Sequence, residues 1–286
     1  MAELRSPALL GPTQIRDLAA RLDLQPTKKL GQNFVVDANT VRKIVRTAEV
    51  GPGDHVVEVG PGLGSLTLGL LEAGARVTAV ELDGRLADLL PHTVQALQPA
   101  LPPDALTVIH DDALRVQVPG APTRLVANLP YNVSVPVLLH LLATVPSLEA
   151  ALVMVQAEVG ERLAAAPGSK VYGSPSVKAA WYGTWRTAGT ISRQVFWPVP
   201  NVDSILVSFA RTDPPGTPAE RDAVFTLVDA AFGQRRKMLR QALADAMGGS
   251  AAASACLEAA GIDPTLRGEQ LTVADFLALA RAPRPS

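Results

Sequence analysis

Residues 55–65 read His-Val-Val-Glu58-Val-Gly60-Pro-Gly62-Leu-Gly64-Ser65. The first five form a short run dominated by valine, the pattern of a strand buried on both faces. Glycines at three alternate positions follow, and then Ser65–Ala73, which reads as a helix. A strand that turns through glycines into a helix is the ligand-binding corner of a doubly wound sheet. The backbone must turn sharply there and let a ligand come close, and a residue without a Cβ permits both. Such corners are common, so this one takes its meaning from its neighbours.

Working outward, the same alternation repeats. Arg76–Val80 reads as a strand, Gly84–Leu97 as a helix and Leu106–His110 as a strand. Leu125–Ala127 (strand), Val135–Ala143 (helix) and Ala151–Val155 (strand) continue it. The alternation predicts an α/β fold built on a parallel sheet covered on both faces. Upstream, residues 12–25 suit an amphipathic helix capped by Thr13, and Asp37–Glu49 a second helix with Val41, Ile44, Val45 and Ala48 on one face. Val202–Ala210 is a further strand. Arg211-Thr-Asp-Pro-Pro-Gly-Thr-Pro218 is proline-rich, and every apolar segment after it has helical period. The predicted organisation is therefore a sheet domain over 1–211, a linker over 212–218 and a small C-terminal all-helical domain over 219–286.

Composition sets outer limits. In 286 residues, 48% are hydrophobic and 19% charged, which describes a globular chain with a substantial core. No apolar run is long enough to cross a bilayer, and the first twenty residues lack the apolar stretch of a signal peptide. The single cysteine, Cys256, excludes an internal disulfide and suits a reducing compartment, so a cytoplasmic location is expected. The four histidines are scattered without ligand spacing, and no metal site is predicted. The net charge of −1 does not announce a polyanion partner, but its distribution is uneven. Lys28, Lys29, Arg42, Lys43 and Arg46 cluster near one end, and Arg235, Arg236, Lys237 and Arg240 near the other. Each cluster alone reads as a solvated face; two of them in a near-neutral chain raise the prospect of nucleic acid.

The glycine corner departs from the dinucleotide fingerprint G-x-G-x-x-G/A, which would need Gly or Ala at Ser65 or Thr67, and from the P-loop, which needs Gly-Lys-Ser/Thr. An acid near the strand end (Glu58) followed by G-x-G-x-G is instead the pattern of S-adenosylmethionine-dependent methyltransferases. The next strand ends at Glu81, placed to accept both hydroxyl hydrogens of a ribose, although a solvated acid at a helix start is the simpler reading of its neighbour Asp83. The third strand ends His110-Asp111-Asp112, where an aspartate can accept the exocyclic amine of an adenine.

A fourth strand leads into Asn128-Leu-Pro-Tyr131. As bare local sequence this is a turn. Beside a methyl donor it has a second meaning. The lone pair of an aromatic amine is delocalised into its ring, which makes the amine a poor nucleophile. Acceptors at the Asn128 side chain and the Pro130 carbonyl would draw it back onto nitrogen and favour the cation formed on methyl attack. Tyr131 offers a face for stacking the base.

Over nearly its whole length the chain resembles the KsgA-type small-subunit (16S) ribosomal RNA adenine-N6,N6 dimethyltransferases. The resemblance rests on Leu30-Gly-Gln-Asn-Phe34, Glu58–Thr67, the Glu81 strand end, Asp111–Leu114, Asn128–Ser134, Gln156–Arg162, Phe196–Ser204 and Phe232–Lys237. It implies a Rossmann-like class I methyltransferase sheet that binds S-adenosylmethionine. Asn33 and the backbone at Val35 would touch the cofactor; the family often has Leu where this chain has Val35. Gly60 would approach the methionine end, Glu81 the ribose and Asp112 the adenine, with Asn128 between cofactor and target amine. Phe196 would pair with Tyr131 to sandwich a flipped adenine; otherwise Phe196 is a core aromatic before a proline turn. Arg235, Arg236, Lys237 and Arg240 would contact RNA phosphates from a helix, with Arg236 and Arg240 on one face. The implied substrate is small-subunit ribosomal RNA in a pre-assembled subunit, modified by a monomer with a role in subunit biogenesis. Three rivals remain: a sister enzyme acting on large-subunit RNA, an adenine-N6 DNA methyltransferase, and a binding protein that kept the fold without the chemistry.

Overall fold

The structure, a computed structural model, describes residues 9–24 and 33–283. Lys28, Lys29 and most of the 30–34 motif lie outside the described residues. In chain order the helices are α1 (Pro12–Arg21), α2 (Ala38–Thr47), α3 (Ser65–Glu72), α4 (Gly84–Leu97), α5 (Ser134–Thr144), α6 (Ala157–Leu163) and α7 (Ser174–Ala180). They continue as α8 (Pro218–Gly233), α9 (Leu239–Ala242), α10 (Ala244–Met247), α11 (Ser250–Ala259) and α12 (Val273–Arg281). The strands are β1 (Phe34–Val35), β2 (His55–Val59), β3 (Arg76–Glu81), β4 (Leu106–His110) and β5 (Arg124–Asn128). After them come β6 (Ala150–Gln156), β7 (Gly183–Ile191), β8 (Phe196–Trp197) and β9 (Ser204–Arg211).

Seven strands form one sheet in the order β4-β3-β2-β5-β6-β9-β7. From β4 to β6 neighbouring strands are parallel, as predicted, but β9 runs antiparallel to β6, from Ala150↔Ala210 to Gln156↔Ser204. Strand presence was readable in β9; its direction depends on the route of the chain between β6 and β9. Chain order reverses about β2, which has β3 on one side and β5 on the other. Such a switch point opens a crevice at the carboxyl ends of the strands.

All five residues of β2 are buried, as are seven of the eight in α3, so this corner is rigid core rather than loop. A Cβ on Gly69 of α3 would collide with the Val41 side chain of α2, so the glycine sets how closely the two helices pack. Asp37 caps α2 by accepting from Thr40 N at 2.8 Å. The cap of α1 is Gly11 with Pro12 first in the helix, not Thr13 as expected, because proline suits the first helical position and holds Thr13 inside it. Among the described residues no helix is long and apolar enough to cross a membrane.

At the amino end of β2, His55 is buried with Nε2 2.8 Å from Thr78 Oγ1 and Nδ1 3.0 Å from the Gly120 carbonyl. The Arg76 guanidinium lies 3.1 Å from the same Nδ1. Burial lowers the imidazole pKa, the Gly120 carbonyl opposes that, and Arg76 adds to it. The folded form thus binds its proton less readily than the unfolded chain. This contribution to stability is complete above the unfolded value of about 6.5 and is lost as pH falls below it. Thermal melts from pH 8 to pH 5 should show wild-type stability falling below that point and a shallower fall in His55→Gln; equal slopes would remove His55 from the account.

The chain divides into two compact units. The first holds the chain up to Gly160 together with Arg186–Ala210, and the second holds Glu161–Trp185 with Arg211 onward. The boundary near 211 matches the proline-rich segment, but 161–185 belongs with the helical unit rather than with an unbroken first domain. Packing explains the difference. In the second unit, the rings of Trp181 and Tyr182 meet Phe225 of α8 edge-on at 6.3 and 6.4 Å, and Tyr172 Oη donates to the Leu271 carbonyl at 2.9 Å.

Candidate active site

At the carboxyl ends of β2, β3, β4 and β5 the first unit holds a cavity of about 420 Å³. Its floor is the glycine corner. Gly60 (φ +66°) and Gly62 (φ +57°) are both left-handed, a conformation that strains any L side chain. A Cβ on Gly62 would also lie 2.8 Å from the Phe34 ring. The corner is tied into the sheet by Gly60 N donating to the Val80 carbonyl at 2.9 Å.

Glu81 ends β3 on the cavity wall and is buried. Its Oε2 accepts from Gly62 N at 3.1 Å and its Oε1 from Asp83 N at 3.0 Å, so this carboxylate fixes the glycine corner as well as facing the cavity. Burial raises its pKa while these amides pull it down. Asp112 lines the same cavity beyond β4, with Oδ1 accepting from Leu114 N at 2.9 Å. Asn33, Val35 and Gly60 complete the predicted cofactor residues on the wall. The exposed side chains of Leu82 (58%) and Leu114 (40%) were missed by the sequence reading, yet both line the cavity beside the two acids. Their signal was position, immediately after one strand-end acid and two residues after the other.

Asn128, the last residue of β5, reaches the cavity rim. Its Nδ2 donates to the Asn33 carbonyl at 3.0 Å, which leaves its amide oxygen as the end available to accept from a substrate. Pro130 lines the cavity, but its carbonyl already accepts from Val133 N at 3.2 Å, so one of its two lone pairs is engaged in the turn. Tyr131 is half-buried, with its hydroxyl 2.6 Å from Ser204 Oγ on β9, and that contact pins the ring.

Phe196 departs from the expected stacking pair. It is 2% exposed within the core cluster, and among the described residues no ring contact joins it to Tyr131. The cause is β-pairing: Val35↔Phe196 and Phe34↔Trp197 join β1 to β8, and Trp197 stacks on Phe34 at 6.3 Å. The simpler reading, a core aromatic before a proline turn, describes Phe196 here.

In the second unit, α8 ends at Gly233, so Arg235, Arg236 and Lys237 lie in a turn and only Arg240 sits on a helix, the short α9. The shared helical face expected for Arg236 and Arg240 therefore does not exist. Arg235 donates to Glu269 at 2.9 Å and to the Lys170 carbonyl at 2.7 Å, which makes it an internal bracket. Arg236 and Lys237 are exposed. In the first cluster, Arg42 is held by both oxygens of Glu72, while Lys43 and Arg46 are exposed.

The cavity suits a cationic, nucleoside-bearing cofactor. Five carboxyl groups and no Lys, Arg or His line it among the described residues. The buried hydroxyl of Ser65, also on the wall, has no hydrogen-bond partner.

Comparison with known proteins agrees. The structure superposes on a dimethyladenosine transferase from Plasmodium falciparum with a TM-score of 0.70 at 23% identity, covering 85% of this chain and 94% of that one. The 23S rRNA methyltransferase ErmE gives 0.63 at 26% identity, with 87% and 98% covered. The fold is that of a Rossmann-like class I methyltransferase. The profile of the family described as ribosomal RNA adenine dimethylase matches residues 24–282. Ribosomal RNA small subunit methyltransferase A of Leifsonia xyli subsp. xyli is 69% identical over 282 residues, 98% of this chain and 99% of that one. The protein of the same description from Streptomyces coelicolor is 63% identical over 276 residues, 96% of each chain. The chain belongs to the ribosomal RNA adenine dimethylase family.

Proposed function

We propose that the protein uses S-adenosylmethionine to dimethylate N6 of adjacent adenosines near the 3′ end of small-subunit ribosomal RNA, as a cytoplasmic monomer acting on a pre-assembled subunit during its biogenesis. The observation that carries this reading is Asn128, held by the Asn33 carbonyl at the rim of an acid-walled cavity. When bound, the cofactor supplies an electrophilic methyl group on a sulfonium. Asn128 Oδ1 and the free lone pair of the Pro130 carbonyl accept the hydrogens of the target amine and concentrate its lone pair on nitrogen. Tyr131, fixed by Ser204, gives the base one face. Glu81 takes the ribose hydroxyls and Asp112 the adenine amine, with Asn33, the Val35 backbone and Gly60 along the cofactor. Phe196 lies within the core, so a second stacking face would require it to leave its place beside β1.

For RNA, Arg236, Lys237 and Arg240 serve phosphate contact. Exposed Lys170 joins them, because Arg235 binds its backbone carbonyl and so holds the two segments together. Replacing Lys170, Arg236 and Lys237 with Ala should weaken RNA binding and flatten its salt dependence by roughly one phosphate contact per cation lost. Arg235→Ala should instead lower the melting temperature. An unaltered salt slope in the triple variant would make the turn a solvated face.

The small subunit is favoured over the large because the relatives at 69% and 63% identity are small-subunit enzymes, whereas the large-subunit enzyme ErmE is 26% identical. The deciding test supplies labelled S-adenosylmethionine with undermethylated small subunits and, separately, large subunits, and maps the modified nucleotide. Label on large-subunit RNA alone, or none on either, would overturn the proposal.

A further inference from the structure

Three of the five wall carboxyls, Glu58, Asp83 and Asp111, have no part in the scheme above. Glu58, on β2 beneath the glycine corner, is 1% exposed and lines the cavity. Its support comes from one residue: Thr67 on α3 donates its hydroxyl to Oε2 at 2.6 Å. The other wall acids are differently placed. Glu81 holds two backbone amides, and Asp83 and Asp111 have arginines, Arg85 at 2.7 Å and Arg115 at 3.4 Å, that stand outside the wall. The ionisable groups facing the cavity around Glu58 are thus Glu81 from β3 with Asp83 after it, and Asp111 and Asp112 after β4. From β5 comes the neutral Asn128, and no cation lines the wall among the described residues.

We infer that Glu58 is a charge-reading residue of the cofactor site: it is neutral while the cavity is empty, ionises when a net cation enters, and regains its proton once that charge is gone. It would thereby favour the sulfonium cofactor over the neutral thioether left after methyl transfer. The inference rests on the cofactor reading given above. A carboxylate buried without a cation beside it is unfavourable, so the carboxyl keeps its proton. Burial, with Glu81 nearby, pushes its pKa up to about 8 against the donation from Thr67. A cation in the cavity reverses that preference. The charges balance over a cycle. A sulfonium and an amine yield a thioether, a methylated amine and one proton, which leaves to solvent; Glu58 takes a proton back from solvent as the cavity loses its positive charge.

The test is calorimetric titration of the full-length protein with S-adenosylmethionine and, separately, S-adenosylhomocysteine, from about pH 6 to about pH 7.5 in two buffers of different ionisation enthalpy. Affinity for S-adenosylmethionine should rise towards about tenfold per pH unit, with most of one proton released per site near pH 7. Affinity for S-adenosylhomocysteine should stay nearly flat. Glu58→Gln should abolish the proton release and reduce the preference for S-adenosylmethionine over S-adenosylhomocysteine by about tenfold. Should that variant fail to fold, Thr67→Val keeps the acid, removes its donor and should move the rise in affinity to higher pH. The same pH dependence for both ligands, pH-independent binding of S-adenosylmethionine, or unchanged proton release in Glu58→Gln would overturn the inference. Failure of the wild-type protein to bind S-adenosylmethionine at any pH would instead strike the cofactor reading beneath it.

Discussion

Asn128→Ala should slow methyl transfer by on the order of 10²–10³ in a single turnover at saturating cofactor and RNA, by analogy with loss of one preorganised oxyanion-hole donor. Here the group is an acceptor and the developing charge positive, but the physical basis is shared. A dipole already oriented before reaction costs no reorganisation when charge appears. The orientation comes from the bond between Asn128 Nδ2 and the Asn33 carbonyl. Asn128→Asp should therefore also be impaired, because its carboxylate would set an oxygen against that carbonyl. Its rate should recover in part as pH falls far enough to protonate the new side chain. RNA affinity should hardly change in either variant, since phosphate contacts supply most of it. A rate near the parent's in Asn128→Ala would leave Asn128–Tyr131 as a turn and nothing more.

Glu81→Ala should weaken cofactor binding by about 1–3 kcal/mol, the usual cost of losing a hydrogen bond to a charged group. The structure adds a second loss, since Gly62 N and Asp83 N would both be stripped of their acceptor. The variant should accordingly melt lower as well as bind less. Glu81→Gln separates the two effects: its amide oxygen can still accept from one of these amides, so it should recover more stability than affinity. Equilibrium titration with S-adenosylmethionine beside a thermal melt reads both, and an unchanged dissociation constant in Glu81→Ala would remove Glu81 from the ribose site.

Much of the fold was readable because its signals are local. α4 has the predicted bounds, and the strands carrying Glu58, Glu81 and Asn128 lie within a residue or two of theirs, because buried parallel strands are unbroken apolar runs. Site acids at strand ends were visible for the same reason. What escaped depends on partners far away in sequence. Phe196 and Trp197 are adjacent rings in a two-residue strand, and only pairing with Phe34–Val35 decides which of them turns into the core. The 235–237 cations sit among good helix formers, yet the helix stops at Gly233 and Arg235 is drawn to Glu269, thirty-four residues on. Residues 161–185 show no compositional break from what precedes them; only their packing on later helices assigns them to the second unit.

That excursion has a bearing on the order in which the chain is made. As residues emerge from amino to carboxyl end, the five neighbouring strands β4-β3-β2-β5-β6 are all available once Gln156 has appeared. The next segment, Glu161–Trp185, must then wait for Phe225 and Leu271, which are synthesised after β9, the strand that pairs with β6. Trp181 and Tyr182 thus spend a stretch of synthesis without their partner ring, and protein cut at residue 211 would hold them in that state permanently. Such a fragment should be prone to aggregate through those aromatics, while a division that keeps 161–185 with the helices would require the chain to be rejoined.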